Sequence, residues 1–184
     1  MGWIILIIVV LIVIAIISLY NSLVSSKMKA ENAWSQIDVQ LQRRFDLIPN
    51  LVETVKGYAS HESETLKKVT ELRTSWANAN TISEKANLDN QLSNALKTIM
   101  SVSENYPDLK ANQNFLDLSE ELRNTENKIS FSRQFYNDSV TMYNEKLQMF
   151  PSNIIANMFH FTAHDLFKTD SEEARKNIKV DFGK

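Results

Sequence analysis

The chain opens on an unbroken apolar run, WIILIIVVLIVIAII from Trp3 to Ile17, which continues past Ser18 through Leu19 and Tyr20. As a helix, these roughly 18 residues reach ~27 Å, enough to cross the hydrocarbon of a bilayer. The run predicts a membrane anchor built of Ile4, Ile5, Leu6, Ile17, Leu19 and their apolar neighbours. Trp3 and Tyr20 stand at its ends, where amphipathic rings lie at the headgroups. A cleaved signal peptide is the alternative. Against it, no basic region precedes the run, the apolar stretch exceeds the ~7 to 15 residues of a signal core, and no clean small-x-small cleavage site follows. An uncleaved anchor over residues 1–20 is expected.

From Leu23 the period changes. Leu23, Ala30, Trp34, Ile37, Leu41, Phe45, Ile48, Val52 and Val55 step by threes and fours after the first interval, the stripe of a helix with one buried face. Pro49 interrupts the stripe without altering its phase, so a kink is expected there and the end only near Gly57. A weaker stripe over His61 to Ala79 turns Leu66, Val69, Leu72 and Trp76 inward. Thr81 and Glu84 then form a capping-box pattern ahead of a third helix through Leu88, Leu92, Ala95 or Leu96, Ile99 and Val102. Pro107 suits the first turn of a fourth helix, and Asp108 beside it complements that helix's N-terminal field.

The fourth helix carries the longest pattern. Phe115, Leu118, Leu122, Thr125, Ile129, Ser132, Tyr136, Val140, Tyr143, Leu147 and Phe150 alternate steps of three and four in a near-heptad seam that Pro151 stops. Counted from Pro107, the helix would be ~66 Å long. No segment alternates with period two, so no sheet is expected. The fold class is all-α: a transmembrane helix, then a long antiparallel up-down bundle of two long and two short helices over residues 21–150. Its core is expected at Trp34, Ile37, Leu41, Ile48, Val52, Leu122, Ile129, Tyr136, Val140, Tyr143 and Leu147. The short pair would pack at the end far from the membrane, returning Phe150 close to the bilayer. Residues 151–184 carry the apolar SNIIANMFHF directly after Pro151 and end in a charged tail, too short for a second span. This tail is expected against the bundle base or in the membrane interface.

Charge sharpens the division. All 20 basic and 22 acidic side chains of the 184-residue chain lie from Lys27 onward. The formal charge of -2 argues against nucleic-acid binding, and the lack of cysteine excludes a disulfide framework, a thiolate zinc site and a cysteine nucleophile. Lys27, Lys29, Arg43 and Arg44 follow the span and no lysine or arginine precedes it. This favours an outside N-terminus and a cytoplasmic bundle at the cell membrane.

Candidate chemistry is sparse. His61, Glu62 and Glu64 lack the second histidine one turn on that a zinc helix needs, and His160 and His164, spaced i, i+4, lack a third ligand. No phosphate loop, nucleophile elbow or dinucleotide fingerprint occurs, so no enzyme activity and no cofactor is expected. A polar network is expected among Arg43, Arg44, Asp46, Asn50, Glu126, Arg133, Asn137 and Asn144. In it Glu126 and Arg133 are candidate partners across the bundle, and the amides either fix register or face solvent. Asn137 and Asn144 belong to a Tyr-Asn pair repeated seven residues apart.

Several stretches together resemble the LemA family of bacterial membrane-anchored helical proteins. They are NSLV at Asn21, NAWSQIDVQLQRRFDLIPNLVETVKGYASHE, YPDLKAN, LRNTENKISFSRQFYNDSVTMYNEKLQMFPSNIIA and the terminal KVDF. The resemblance implies an N-terminal anchor and a long helical bundle, and it brings no catalytic or cofactor residue. The family includes a magnetosome protein linked to membrane formation, which suggests membrane organisation by analogy. The sequence therefore points to an envelope scaffold or adaptor that partners the lipid bilayer through its first helix and other membrane or envelope proteins through its bundle, with a homo-oligomer left open. A bilayer-binding protein that uses the tail near Phe159 and Phe161 is the alternative, and a metal-dependent enzyme around the histidines is a distant third.

Overall fold

The computed structural model describes residues 2–58 and 63–168, and every regular element among them is a helix. Helix α1 (Gly2–Asp46) runs 45 residues without a break, from the apolar run into the amphipathic stripe. One turn residue, Leu47, separates it from α2 (Ile48–Lys56). Pro49 is the cause, since it has no N–H for the Phe45 carbonyl and its ring crowds that carbonyl. The Leu51 N–H still reaches the Leu47 carbonyl at 3.1 Å, so the stripe keeps its phase and Phe45, Ile48, Leu51 and Val55 are all buried. This is a kink, as the unbroken periodicity requires. Gly57 caps α2 at φ -66°, a conformation open to any residue.

Helix α3 (Ser63–Asn78) buries Leu66, Val69, Leu72 and Trp76. The capping box ahead of α4 (Ile82–Ser103) is complete: the Glu84 N–H donates to Thr81 Oγ1 and the Thr81 N–H donates to Glu84 Oε2, each at 3.1 Å. Two backbone N–H groups, Thr81's first and Asn80's second, hold the exposed Glu84 carboxyl below its ordinary value. The expected start of the fourth helix is corrected. Pro107 opens only the four-residue α5 (Pro107–Lys110), and the long helix α6 (Gln113–Gln148) begins afresh where Asn112 Oδ1 accepts the Phe115 N–H at 3.0 Å. With 36 residues, α6 is ~54 Å long. After Pro151 comes the short α7 (Ser152–Met158).

The chain forms two compact units. Among the described residues, one comprises residues 2–44 with Leu122–Leu166, the other Phe45–Glu121 with Phe167 and Lys168. In the first, the partners of α1 on α6 descend as α1 ascends. Lys146 meets Ser22 and Ser26, Tyr136 meets Trp34, and Glu126 meets Arg44, so the two helices are antiparallel. Small residues in the seam, Ser26, Ala30, Ala33, Thr125 and Ser139, are all buried and let the backbones approach. In the second unit α3 packs against α2 and α4, and the Phe45 ring stacks on Trp76 at 4.5 Å with the Lys85 ammonium 4.9 Å from the indole centroid.

Candidate functional site

The distinctive construction of the first unit lies where the chain leaves α7. Met158 ends the helix and His160 takes φ 56°, the left-handed region that glycine normally supplies at a helix C-terminus. The Phe161 N–H then donates to the Ala156 carbonyl at 2.9 Å and the His160 N–H to the Asn157 carbonyl at 3.3 Å, the paired bonds of a Schellman ending. Phe161 packs against the cluster of Leu23, Ile155 and Ala156.

Residues 162–165 continue as an extended strap along α6, held by the Tyr-Asn repeat. The Tyr143 hydroxyl donates to the Thr162 carbonyl at 2.9 Å and the Tyr136 hydroxyl to the Asp165 carbonyl at 2.7 Å. Between them the Asn144 amide engages His164 in both directions, donating to its carbonyl at 2.9 Å and accepting its N–H at 3.0 Å. Every one of these bonds goes to strap backbone. Burial pushes the Tyr136 hydroxyl up to about 12, helped by the nearby Asp165 carboxylate; burial also raises that of Tyr143, with a smaller contribution from Glu31.

At the other end of the strap, α7 meets α1 at the close of the apolar run. Leu23, Ile155 and Ala156 form a buried cluster that also draws in Ile16, Leu19, Leu147 and Phe161, and the rings of Phe159 and Phe161 lie 4.8 and 5.8 Å from that of Tyr20. Just above, the half-buried Lys146 ammonium donates to Ser26 Oγ at 2.6 Å and Ser22 Oγ at 2.9 Å. Ser152 Oγ lies 2.6 Å from the Lys146 carbonyl, satisfying the C-terminal end of α6.

Of the anchor residues, Trp3, Ile4, Ile5, Leu6 and Ile17 stand bare on α1, Tyr20 is exposed, and Leu19 is half-covered. Among the core positions, Ile37, Leu41, Ile48, Leu122, Ile129, Tyr136, Val140 and Tyr143 are buried, while Trp34, Val52 and Leu147 are half-buried. The fully buried neighbours of Trp34 and Val52 are Ala33 and Leu51, one position earlier along the same stripe. In the polar set the guanidinium of buried Arg44 pairs with Glu126 at 2.7 Å; Arg133, Asn137 and Asn144 are half-buried, and Arg43, Asp46 and Asn50 are exposed.

His160 and His164 do not share a helical face, because α7 ends before them, and the His164 ring instead meets Tyr143 edge-on at 5.0 Å. Glu64 is exposed on α3, and His61 and Glu62 lie outside the described residues. No group of three or more metal-ligating side chains occurs among the described residues. The Ser22–Ser26–Lys146 cluster escaped the sequence reading, although two serines one turn apart on an otherwise apolar seam were its visible sign.

Two relatives from Paramagnetospirillum magneticum, the magnetosome proteins MamQ 1 and MamQ 2, are each 25% identical over 81% of this chain, which spans 64% of their length. Protein LemA of Metamycoplasma hominis is 28% identical over 88% of this chain and 72% of its own. A family model described as the LemA family matches residues 33–182, from the first amphipathic stripe through the strap and into the charged tail. This all-helical, membrane-associated chain belongs to the LemA family.

Proposed function

We propose that the protein is a scaffold or adaptor of the bacterial cell envelope, anchored by α1 and offering its helical surface to other membrane or envelope proteins, and that it is not an enzyme. The observation that supports this reading is an apolar stripe on the anchored unit. Phe131 is 76% exposed, and Val39, Phe135 and Met142 stand out with it on a surface otherwise rich in charge. Val39 and Phe131 line the same shallow groove between α1 and α6. Large side chains held in water along one line are the mark of an interaction face.

A photo-crosslinking residue in place of Phe131 or Phe135, with one at exposed Thr141, off the stripe, as control, tests the reading in intact cells. A discrete adduct at the stripe and none at the control supports it; an adduct of twice the chain mass makes the partner a second copy. Equal reaction at all three positions counts against it. The lysines after the span support a cytoplasmic bundle. A cysteine at Gln148 should then resist a membrane-impermeant thiol reagent until cells are opened.

A second reading, a protein that binds and organises the bilayer itself, is favoured by the exposed apolar residues around α7. No charged side chain stands between Lys146 and Asp165.

A further inference from the structure

We propose that α7 and the residues flanking it form an interfacial foot, seated in the headgroup–acyl boundary of the leaflet from which α1 emerges. The occupant of this surface is lipid, and the argument is continuity with the span. The apolar run is bare from Trp3 to Ala15, and the first cover on it comes where Ile155 and Ala156 of α7, with Phe161 just beyond the helix, cluster with Ile16, Leu19 and Leu23. With Tyr20 at the headgroup level, Ile16 lies ~6 Å deeper and Leu23 ~4.5 Å higher along the helix axis. The foot is therefore fixed to α1 across the boundary, the depth at which interfacial helices bury ~5–10 Å.

Its outward side suits that depth. Phe150 is 81% exposed, Met149 59%, Met158 58% and Ile154 51%, and Ile154 and Met158 stand one turn apart opposite the buried Ile155 and Ala156. A water-facing position would leave all four hydrated beside an apolar span; the acyl boundary covers them without any further partner. Asn157 is exposed, leaving an amide on α7 for headgroups.

The proposal rests on α1 as an anchor, deepens the bilayer-binding reading, and is independent of the scaffold reading. The chain lacks cysteine, so the full-length protein can carry a single environment-sensitive fluorophore on Phe150→Cys, Met158→Cys or, as control, Phe131→Cys. Each is reconstituted in vesicles of phosphatidylcholine and phosphatidylglycerol. The labels at 150 and 158 should emit to the blue of the control, and a nitroxide near the top of the acyl chains should quench them at least three-fold more. Quenching by aqueous iodide equal to that at position 131 overturns the foot. Shielding from both quenchers overturns it too, because a second copy or another part of the chain would then cover the patch. Either failure leaves the crosslinking outcome at Phe131 untouched, so the two readings fail separately.

Discussion

Tyr136 and Tyr143 couple the folded state to alkaline pH. An unfolded tyrosine ionises near pH 10, whereas burial pushes Tyr136 up to about 12. The stability this contributes is complete below pH 10 and drains away between 10 and 12, as the unfolded chain loses a proton that the folded chain keeps. Melting temperature measured from pH 9 to 12 should fall across that window, and Tyr136→Phe should flatten the fall while costing about 1 kcal/mol at neutral pH for the lost bond to Asp165. A slope unchanged by the phenylalanine would mean that another group governs it. His160 offers a test of opposite sign. An L-residue in the left-handed region costs roughly 1 kcal/mol, and the His160 side chain is exposed, so His160→Gly should raise the melting temperature by a few degrees. A lower melting temperature would show that the imidazole has a role the backbone does not reveal.

Among the helices, the seam of α6 is fully enclosed at Ile129, which like Val140 and Tyr143 is 0% exposed. Ile129→Asp should cost several kcal/mol through an uncompensated buried carboxylate, against a near-neutral Gln42→Ala on the exposed side of α1. Trp34→Ala should cost ~2 kcal/mol and not the larger penalty of a core indole, because its ring is only half-buried against Tyr136. Urea denaturation of the three variants ranks these effects.

The same elements show why some of the fold was legible in the sequence. The stripes of α1 through α4 and of α6 declare themselves because burial selects residue type, position by position. The break at Asn112 did not, since α5 and α6 are both helical and only a side-chain cap divides them. The strap was hidden for a deeper reason. It is held by carbonyl and N–H groups that every residue possesses, so only the receiving tyrosines and asparagine left a trace in the sequence, and their repeat was visible without its purpose.

At the scale of the molecule, the anchored unit makes a helix pair whose lower end is crowded with contacts of different kinds: the Ser22–Ser26–Lys146 bonds, the cluster at Leu23 and the aromatic rings at Tyr20. Cysteines at Ser22 and Gln148 should therefore join within one chain under a short bis-maleimide, in membranes as in detergent. Links formed only between chains would place α6 of one copy on α1 of another. The result would also bear on the foot, which shares that end with the pair.

The backbone attachment of the strap sets what evolution can change in it. Thr162 and Ala163 present exposed side chains, so their identities can vary, whereas the number of residues between the Schellman turn and Asp165 is fixed by the one heptad that separates Tyr143 from Tyr136. Replacing Ala163 with serine or glutamine should go unnoticed. Deleting it should pull the Asp165 carbonyl out of reach of the Tyr136 phenol, strip the protection of the His164 amide against hydrogen exchange, and abolish the alkaline signature of Tyr136. In this part of the chain the structure depends on spacing and hardly on spelling.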